Sequence, residues 1–197
     1  MFITFEGTEG CGKSTLIQNL SHELTALRVK HVITREPGGN AVAESIRKVI
    51  LHQEMDPLTE LFLYEAARAE HYKTVIAPAL KAKSWVLCDR FTDSTIAYQG
   101  FARKLDLKMI TQLNKIATDS TQPDLTFFLD LPVEMGLARA TDGNKFEQAG
   151  VAFQKRVRQG FLYSIKKAKK RFRVLKVTDK SPEQVCQAAM KVLKPYL

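Results

Sequence analysis

The feature that most constrains this chain is a glycine-rich turn between a predicted strand and a predicted helix. Residues 2–5 are aromatic or β-branched and predict a buried strand. The turn follows in the order Gly7-x-x-x-x-Gly12-Lys13-Ser14, and leucine and isoleucine at helical spacing come directly after it. Strand, glycine-rich turn and helix in this order are the context of a phosphate-binding loop. The sequence therefore predicts a nucleoside triphosphate site near the start of the chain.

Each residue type in this turn has a chemical reason. The glycines let the backbone turn tightly and direct successive N–H groups to one point at the open helix N-terminus. The Lys13 ammonium can reach the β- and γ-phosphates, and the Ser14 hydroxyl can bind the Mg²⁺ that accompanies them. The alternative, a turn that carries a lysine by chance, does not account for both flanking elements. We therefore expect triphosphate contacts from the whole loop: Gly7, Thr8, Glu9, Gly10, Cys11, Gly12, Lys13, Ser14 and Thr15.

The length and composition set the class of protein. A chain of 197 residues suits one α/β domain and can bury a core without disulfides or a structural metal. No apolar run reaches the length of a membrane span and the first strand begins at residue 2, so we expect a cytoplasmic protein without membrane contact. Cys11, Cys88 and Cys186 are far apart and odd in number, and the histidines form no cluster. Neither a disulfide framework nor a metal cluster is therefore expected.

The formal net charge of +9 raises the question of nucleic-acid binding. Much of the positive charge lies in residues 155–173, where it flanks apolar residues at helical spacing. Such a pattern is typical of a solvated helix face. Binding of anionic nucleotides requires positive charge as well, so we expect no nucleic-acid partner.

Strand and helix patterns alternate along the chain. Five segments have the composition of strands: 2–5, 29–34, 85–88, 125–129 and 172–177. Alternation with helices predicts an α/β fold with a five-stranded parallel sheet flanked by helices on both sides. A long helix is predicted to start at Asp56-Pro57, and Pro78 is expected to kink or end it. No repeat or linker interrupts the pattern, so a single domain is expected.

Arginines follow several of these elements. Arg35 and Arg90 come where strands end, Arg139 ends a predicted helix, and Arg47 and Arg68 lie on helices. The carboxyl ends of parallel strands face one shared crevice. Guanidinium groups there suit a second substrate that bears a phosphate. Structural ion pairing explains any one of these arginines, but it explains the set less well.

Three further motifs lie in register with the phosphate loop. They are Arg35-Glu36-Pro37-Gly38-Gly39, Tyr64-x-x-x-Arg68 and Asp89-Arg90-Phe91-x-x-Ser94-Thr95-x-Ala97-Tyr98-Gln99-Gly100. With the loop, they make the chain resemble the thymidylate kinase family of the bacterial type over essentially its whole length. The resemblance implies a homodimeric enzyme with the P-loop NTPase fold that uses ATP and Mg²⁺ to phosphorylate dTMP to dTDP, a step in dTTP synthesis.

The resemblance also implies roles in the acceptor site. Tyr64 takes the position of an aromatic residue that stacks on thymine, and Arg68 would hydrogen-bond the base. Arg47 and Arg90 would bind the acceptor phosphate, and Tyr98 would discriminate against a ribose 2′-hydroxyl. The implied dTMP-binding set is Glu36, Arg47, Tyr64, Arg68, Arg90, Ser94, Thr95, Tyr98 and Gln99.

Further roles concern the transferring phosphate. Glu9 would lie near it and near the sugar 3′-hydroxyl, and Asp89 would act on Mg²⁺ through water. Residues 140–148 correspond to the family's mobile lid, about three residues shorter than usual, with Lys145 as the only basic residue. Lys145 would then serve the transferring phosphate, with Arg139 at the end of the preceding helix as the alternative. The implied catalytic set is Lys13, Glu9, Arg90, Asp89, Lys145 and Arg139.

Two alternative functions and one minor hypothesis stay open at this point. The chain could be another nucleotide kinase or a deoxynucleoside kinase. From a different class, it could be a small regulatory P-loop NTPase, which needs no acceptor pocket. Separately, the position of Cys11 beside Lys13 and the helix N-terminus could favour a reactive thiolate, or a small side chain could simply fit there.

Overall fold

The computed structural model describes residues 1–140 and 143–197. Its five strands are β1 (Phe2–Glu6), β2 (His31–Arg35), β3 (Trp85–Asp89), β4 (Leu125–Asp130) and β5 (Phe172–Lys176). They form one sheet in the order β2-β3-β1-β4-β5, and all four neighbouring pairs are parallel. The five-stranded parallel sheet predicted from the sequence is confirmed.

Helices cover both faces of this sheet. They are α1 (Lys13–Ala26), α2 (Ala41–His52), α3 (Pro57–His71), α4 (Ala77–Lys81), α5 (Thr92–Thr95), α6 (Leu107–Ala117), α7 (Val133–Arg139), α8 (Lys145–Gln148), α9 (Gly150–Lys167) and α10 (Pro182–Leu193). Wider π-helical turns over Tyr72–Ile76 and Ile96–Ala102 follow α3 and α5, and a 3-10 turn over Lys194–Tyr196 follows α10. Neighbouring residues of β4 show the two faces: Phe127 packs in the core with α1 and α10, and Phe128 packs with α9.

Two of the differences between the predicted elements and the structure have a simple local cause. Helical backbone continues past Pro78 to Lys81, because Pro78 lies in the first turn of α4, where a missing N–H is tolerated. Strand β2 begins at His31 instead of Val29, because Arg28 has a φ of 58° and the Val29 N–H donates back to the Leu24 carbonyl to close α1.

The strands bring their carboxyl ends to one edge of the sheet. Phe5 of β1 and Arg35 of β2 both pair with Asp89 of β3, so the segments after these strands start side by side. This edge is where ligands of open parallel sheets bind. Within the described ranges, no helix is long and apolar enough to cross a membrane. The cytoplasmic location and the lack of a nucleic-acid partner stay predictions.

Candidate active site

The glycine-rich turn forms a loop that enters α1 at its N-terminus. Gly12 caps the helix with a φ of 91°, a left-handed conformation that favours glycine. A Cβ at Gly10 would overlap the backbone of Gly136 on α7, so only glycine fits there. The Lys13 ammonium folds back over the loop, 3.2 Å from the Thr8 carbonyl oxygen and 3.4 Å from that of Gly7. The loop therefore presents backbone N–H groups and one cation to a phosphate chain.

A cavity, here called the donor cavity, opens over this loop. Besides loop residues 9–15, it is lined by Arg35, Glu36, Arg47, Asp89, Arg90, Arg139, Ala140 and Glu147. A second opening beside the loop is bordered by Arg139, Val177, Lys180, Pro182 and Val185, among others. Its mixed apolar and cationic wall suits a planar nucleobase attached to phosphates. Sequence reasoning did not find this second opening, because its wall comes from separate parts of the chain.

The oxygens expected to serve Mg²⁺ lie together in the donor cavity. The Ser14 hydroxyl donates a hydrogen bond to Asp89 Oδ2 at 3.1 Å. The other oxygen, Asp89 Oδ1, is buried and has no hydrogen-bond partner among the residues that the structure describes. A hydroxyl and a carboxylate with a spare oxygen are the hard donors that Mg²⁺ prefers. These two side chains therefore fit the metal.

A second pocket, here called the acceptor pocket, lies next to the donor cavity. It is lined by Glu9, Glu36, Pro37, Arg47, Leu51, Tyr64, Arg68, Arg90, Ser94, Thr95, Tyr98, Gln99, Asn144 and Phe146. All nine residues of the predicted dTMP-binding set are in this list. Tyr64 and Arg68 come from one face of α3, since residues four apart on a helix are neighbours. The sequence analysis missed Leu51 of α2, Phe146 of α8 and Asn144, which caps α8.

Arg68 lines this pocket and also holds together a buried network of hydrogen bonds. Its side chain is 2% exposed, and the guanidinium donates hydrogen bonds to Glu36, Glu65, Thr95, Asn114 and the Phe91 carbonyl oxygen. Burial opposes its charge, but the two carboxylates raise the pKa of Arg68 well above its usual value. This network was not predicted, because its members lie on three helices and on the loops after β2 and β3.

Replacing Arg68 by methionine is expected to destabilise the protein as well as weaken acceptor binding. The change leaves the buried carboxylates of Glu36 and Glu65 without their cation, which costs roughly 3–5 kcal/mol for a buried pair. Urea unfolding measures this loss. Binding of dTMP to the folded fraction should weaken by a further roughly 1.5–3 kcal/mol, the value for a hydrogen bond to a charged group. A fall in ATP affinity with unchanged dTMP affinity would contradict the placement of Arg68 in the acceptor pocket.

Four side chains line both the donor cavity and the acceptor pocket: Glu9, Glu36, Arg47 and Arg90. Arg90 donates to the Gly7 carbonyl oxygen (3.0 Å) and to Glu9 Oε1 (2.9 Å), and its guanidinium lies 5.1 Å from the centre of the Tyr98 ring. Burial opposes ionisation of Glu9, but Arg90 and Lys13 hold the pKa of its carboxyl below the usual value. These four residues form the junction between the two cavities, which therefore combines two guanidinium groups with an ionised carboxylate.

Two polar side chains of residues 89–100 that line the acceptor pocket already form hydrogen bonds with glutamates. The Tyr98 hydroxyl donates to Glu9 Oε1 at 2.7 Å. The Ser94 hydroxyl donates to Glu6 Oε2 at 2.6 Å, and Glu6 also accepts from the Phe91 N–H at 2.9 Å. Burial and the nearby Asp93 raise the pKa of Glu6 to about 8. The sequence analysis gave Glu6 no role and ended the first strand at Phe5, because nothing local marks a buried carboxyl that shapes the turn around Arg90.

The expected lid is described only in part. Residues 141 and 142 lie outside the described residues. The Lys145 ammonium is 2.9 Å from Glu60 Oε2 and 3.1 Å from the Gln53 carbonyl oxygen, and Lys145 does not line the donor cavity. Arg139, exposed at the end of α7, lines both openings over the phosphate loop. The arrangement therefore favours Arg139 over Lys145 for the transferring phosphate.

The hypothesis of a reactive Cys11 thiolate disagrees with the structure. Cys11 is only 2% exposed. Burial raises the pKa of its thiol despite the nearby Lys13. Its sulfur packs close to Gly7, where a Cβ would meet it at 2.6 Å. A small side chain that fits the loop is the better explanation.

The fold and the site together define a class of protein. A parallel sheet with a phosphate loop after its first strand, and an arginine-lined second pocket that shares four residues with the donor cavity, is the arrangement of P-loop kinases that act on nucleotides. Comparison with known proteins narrows the class. The family model described as thymidylate kinase matches residues 5–189, and the chain belongs to this family.

Individual relatives agree with this assignment. The thymidylate kinase of Synechococcus sp. (strain JA-2-3B'a(2-13)) is 47% identical over 199 aligned positions, covering 100% of this chain and 96% of the relative. That of Geobacter sp. (strain M21) is 50% identical over 173 positions, covering 82% of this chain and 77% of the relative. The crystal structure of thymidylate kinase from Ehrlichia chaffeensis superimposes with a TM-score of 0.83 at 37% identity, covering 98% of each chain.

Proposed function

We propose that this enzyme transfers the γ-phosphoryl group of ATP to dTMP, forming dTDP and ADP. The observation that carries this proposal is the junction of Glu9, Glu36, Arg47 and Arg90 between the donor cavity and the acceptor pocket. A regulatory P-loop NTPase requires no second pocket of this kind. Membership of the thymidylate kinase family supports thymidylate as the acceptor.

The chemistry requires positioning and charge neutralisation more than proton transfer. The attacking atom is a phosphate oxygen that is already anionic, so no strong general base is needed. In our proposal Lys13 and the loop N–H groups hold the β- and γ-phosphates, and Arg47 and Arg90 hold the acceptor phosphate in line. Ser14 would hold Mg²⁺, with Asp89 acting through water. Bound Mg²⁺ supplies further neutralisation of phosphate charge.

Selection of the acceptor is assigned to the residues of the acceptor pocket that do not bind phosphate. We propose that the Tyr64 ring stacks on the thymine, with Arg68 bonding to the base beside Thr95 and Gln99. In our proposal the Tyr98 ring, whose hydroxyl donates to Glu9 Oε1, excludes a ribose 2′-hydroxyl. Adenine of ATP is assigned to the opening between Arg139 and Pro182 described above.

A panel of acceptors tests the proposed function directly. With ATP and Mg²⁺, release of ADP in the presence of dTMP should exceed release with AMP, GMP or CMP by at least roughly 10³-fold, because a site built for one base leaves polar groups unpaired with another. A coupled spectrophotometric assay measures this release. Removal of Mg²⁺ with a chelator should abolish it. Comparable turnover with any of the three other monophosphates would refute the substrate assignment.

We further propose that the enzyme is a homodimer. Four apolar side chains on the adjacent helices α2 and α3 are exposed: Val42, Val49, Leu58 and Phe62. Val42 and Val49 are seven residues apart, and Leu58 and Phe62 are four apart, so each pair lies on one side of its helix. A second copy of this chain is the partner that would cover them.

Replacing Phe62 by aspartate is expected to halve the mass measured by light scattering. The new charge would be buried without a partner if two copies meet at this surface. Leu27→Asp is the matched control, since Leu27 is similarly exposed but follows α1. A wild-type protein that is monomeric at micromolar concentration would contradict the dimer.

A further inference from the structure

A buried carboxylate that the proposed reaction does not use lies behind the acceptor pocket. Glu60, on α3, has a fully buried side chain. Arg103 Nη2 lies 3.0 Å and Lys145 Nζ 2.9 Å from its Oε2. The other oxygen, Glu60 Oε1, accepts from Gln99 Nε2 at 2.9 Å and from Arg103 Nε at 3.3 Å. A single carboxylate therefore joins two cations to one pocket-lining amide.

Its two cations keep this carboxylate charged. Burial opposes ionisation, but hydrogen bonds from Arg103, Gln99 and Lys145 hold the pKa of Glu60 below its usual value. An ionised carboxylate can only accept hydrogen bonds. The Gln99 amide must therefore direct its NH₂ group, and not its oxygen, towards Glu60. The oxygen and nitrogen of an amide have nearly the same shape, so shape alone does not determine which of them faces a partner. For Gln99 the negative charge of Glu60 determines it.

This orientation decides what Gln99 offers to a base. Gln99 is 1% exposed and lines the acceptor pocket beside Tyr64, Arg68 and Thr95. With Nε2 bound to Glu60, the amide oxygen is the group left for a ligand, and no donor within residues 1–140 and 143–197 bonds to it. A carbonyl oxygen accepts a hydrogen bond from thymine N3–H. Cytosine has a lone pair at N3, so the same oxygen would repel it.

We propose that Glu60 is a positioning residue for base selection, which fixes the Gln99 amide so that its oxygen meets position N3 of the pyrimidine. The inference rests on the proposed function, since it assumes that a pyrimidine monophosphate occupies the acceptor pocket. Glu60 itself touches no substrate. Its effect on selectivity passes entirely through Gln99.

The test is the substitution Glu60→Gln. The new amide keeps the shape of the side chain but can donate to Gln99 Oε1, which allows the Gln99 amide to reverse. We expect the ratio of kcat/KM for dTMP to kcat/KM for dCMP to fall by at least about 10-fold, the effect of one hydrogen bond of this kind. The fall should arise mainly from a raised KM for dTMP. The KM for ATP should stay unchanged, because Glu60 lies behind the acceptor pocket.

Two further variants separate base selection from general damage. Lys145→Met removes one ion pair of Glu60 but leaves its bond to Gln99, so the dTMP to dCMP ratio should stay at the wild-type value. Gln99→Leu should lower the ratio as Glu60→Gln does, and combining the two changes should lower it no further. Thermal unfolding of each variant identifies any loss of folded protein.

The outcomes are distinct. A wild-type ratio in folded Glu60→Gln, or in Gln99→Leu, overturns the proposal. If Glu60→Gln does not fold, calorimetric titration with N3-methyl-dTMP replaces it as the test. The wild type should bind this analogue at least about 10-fold more weakly than dTMP. Gln99→Leu should bind the two nucleotides with nearly equal affinity. Wild-type protein without dTMP turnover would refute the proposed function, whereas binding of dTMP and dCMP would still report the orientation of the amide.

Discussion

Replacing Arg139 by alanine is expected to lower kcat by roughly 10³-fold, the lower end of the range for arginines that contact a transferring phosphoryl group. Arg139 lies at the end of α7 and lines both openings over the phosphate loop. Its planar guanidinium can contact two phosphate oxygens as negative charge shifts during transfer. Because this contact strengthens in the transition state, neither KM should change more than a few-fold.

Lys145→Ala is the matched comparison, because it removes the other cation considered for this role. In the structure Lys145 is bound to Glu60 and the Gln53 carbonyl oxygen and lies off the donor cavity. We therefore expect its kcat to fall less than about 10-fold, with the larger change in the KM for dTMP. Steady-state kinetics with both nucleotides varied measure the two variants. A collapsed kcat for Lys145→Ala with a normal one for Arg139→Ala would transfer the role to Lys145.

Replacing Arg90 by alanine is expected to lower kcat/KM for dTMP by roughly 10³-fold, the combined effect of about two charge-assisted hydrogen bonds. Arg90 lines both cavities and donates to two residues of the phosphate loop, at the Gly7 carbonyl oxygen and at Glu9 Oε1. Its removal takes away a proposed ligand of the acceptor phosphate. It also leaves the largely buried Glu9 carboxylate without its nearest cation, so the pKa of Glu9 should rise towards its usual value.

Two substitutions define what Arg90 contributes. Arg90→Lys keeps the charge but loses the planar fork, so it should recover only part of the lost kcat/KM. Arg35→Ala is the control, since Arg35 lines the donor cavity but not the acceptor pocket and pairs with Glu44 at the surface. Its effect should stay below about 10-fold. Full activity of Arg90→Ala, measured over a range of dTMP concentrations, would exclude Arg90 from the junction.

The largest gap in the sequence prediction is the helical stretch from Thr92 to Ala102. No helix was predicted there, because polar side chains at Asp93, Ser94 and Gln99 hide any apolar face. In the structure these polar groups are buried against partners far along the chain: Arg171 for Asp93, Glu6 for Ser94 and Glu60 for Gln99. Burial of polar residues becomes predictable only when their partners are known.

The sequence by itself determined the sheet, the phosphate loop and the family, because these depend on periodicity and residue types over short stretches. Only the tertiary structure decided which side chains meet. Tyr98 donates a hydrogen bond to Glu9, 89 residues away in the sequence. Lys145 forms an ion pair with Glu60 and does not line the donor cavity. Such pairs depend on how the helices pack against the sheet, and that packing is the joint result of many long-range contacts. A local pattern can identify a cation or a carboxylate, but the packing of distant elements selects its partner.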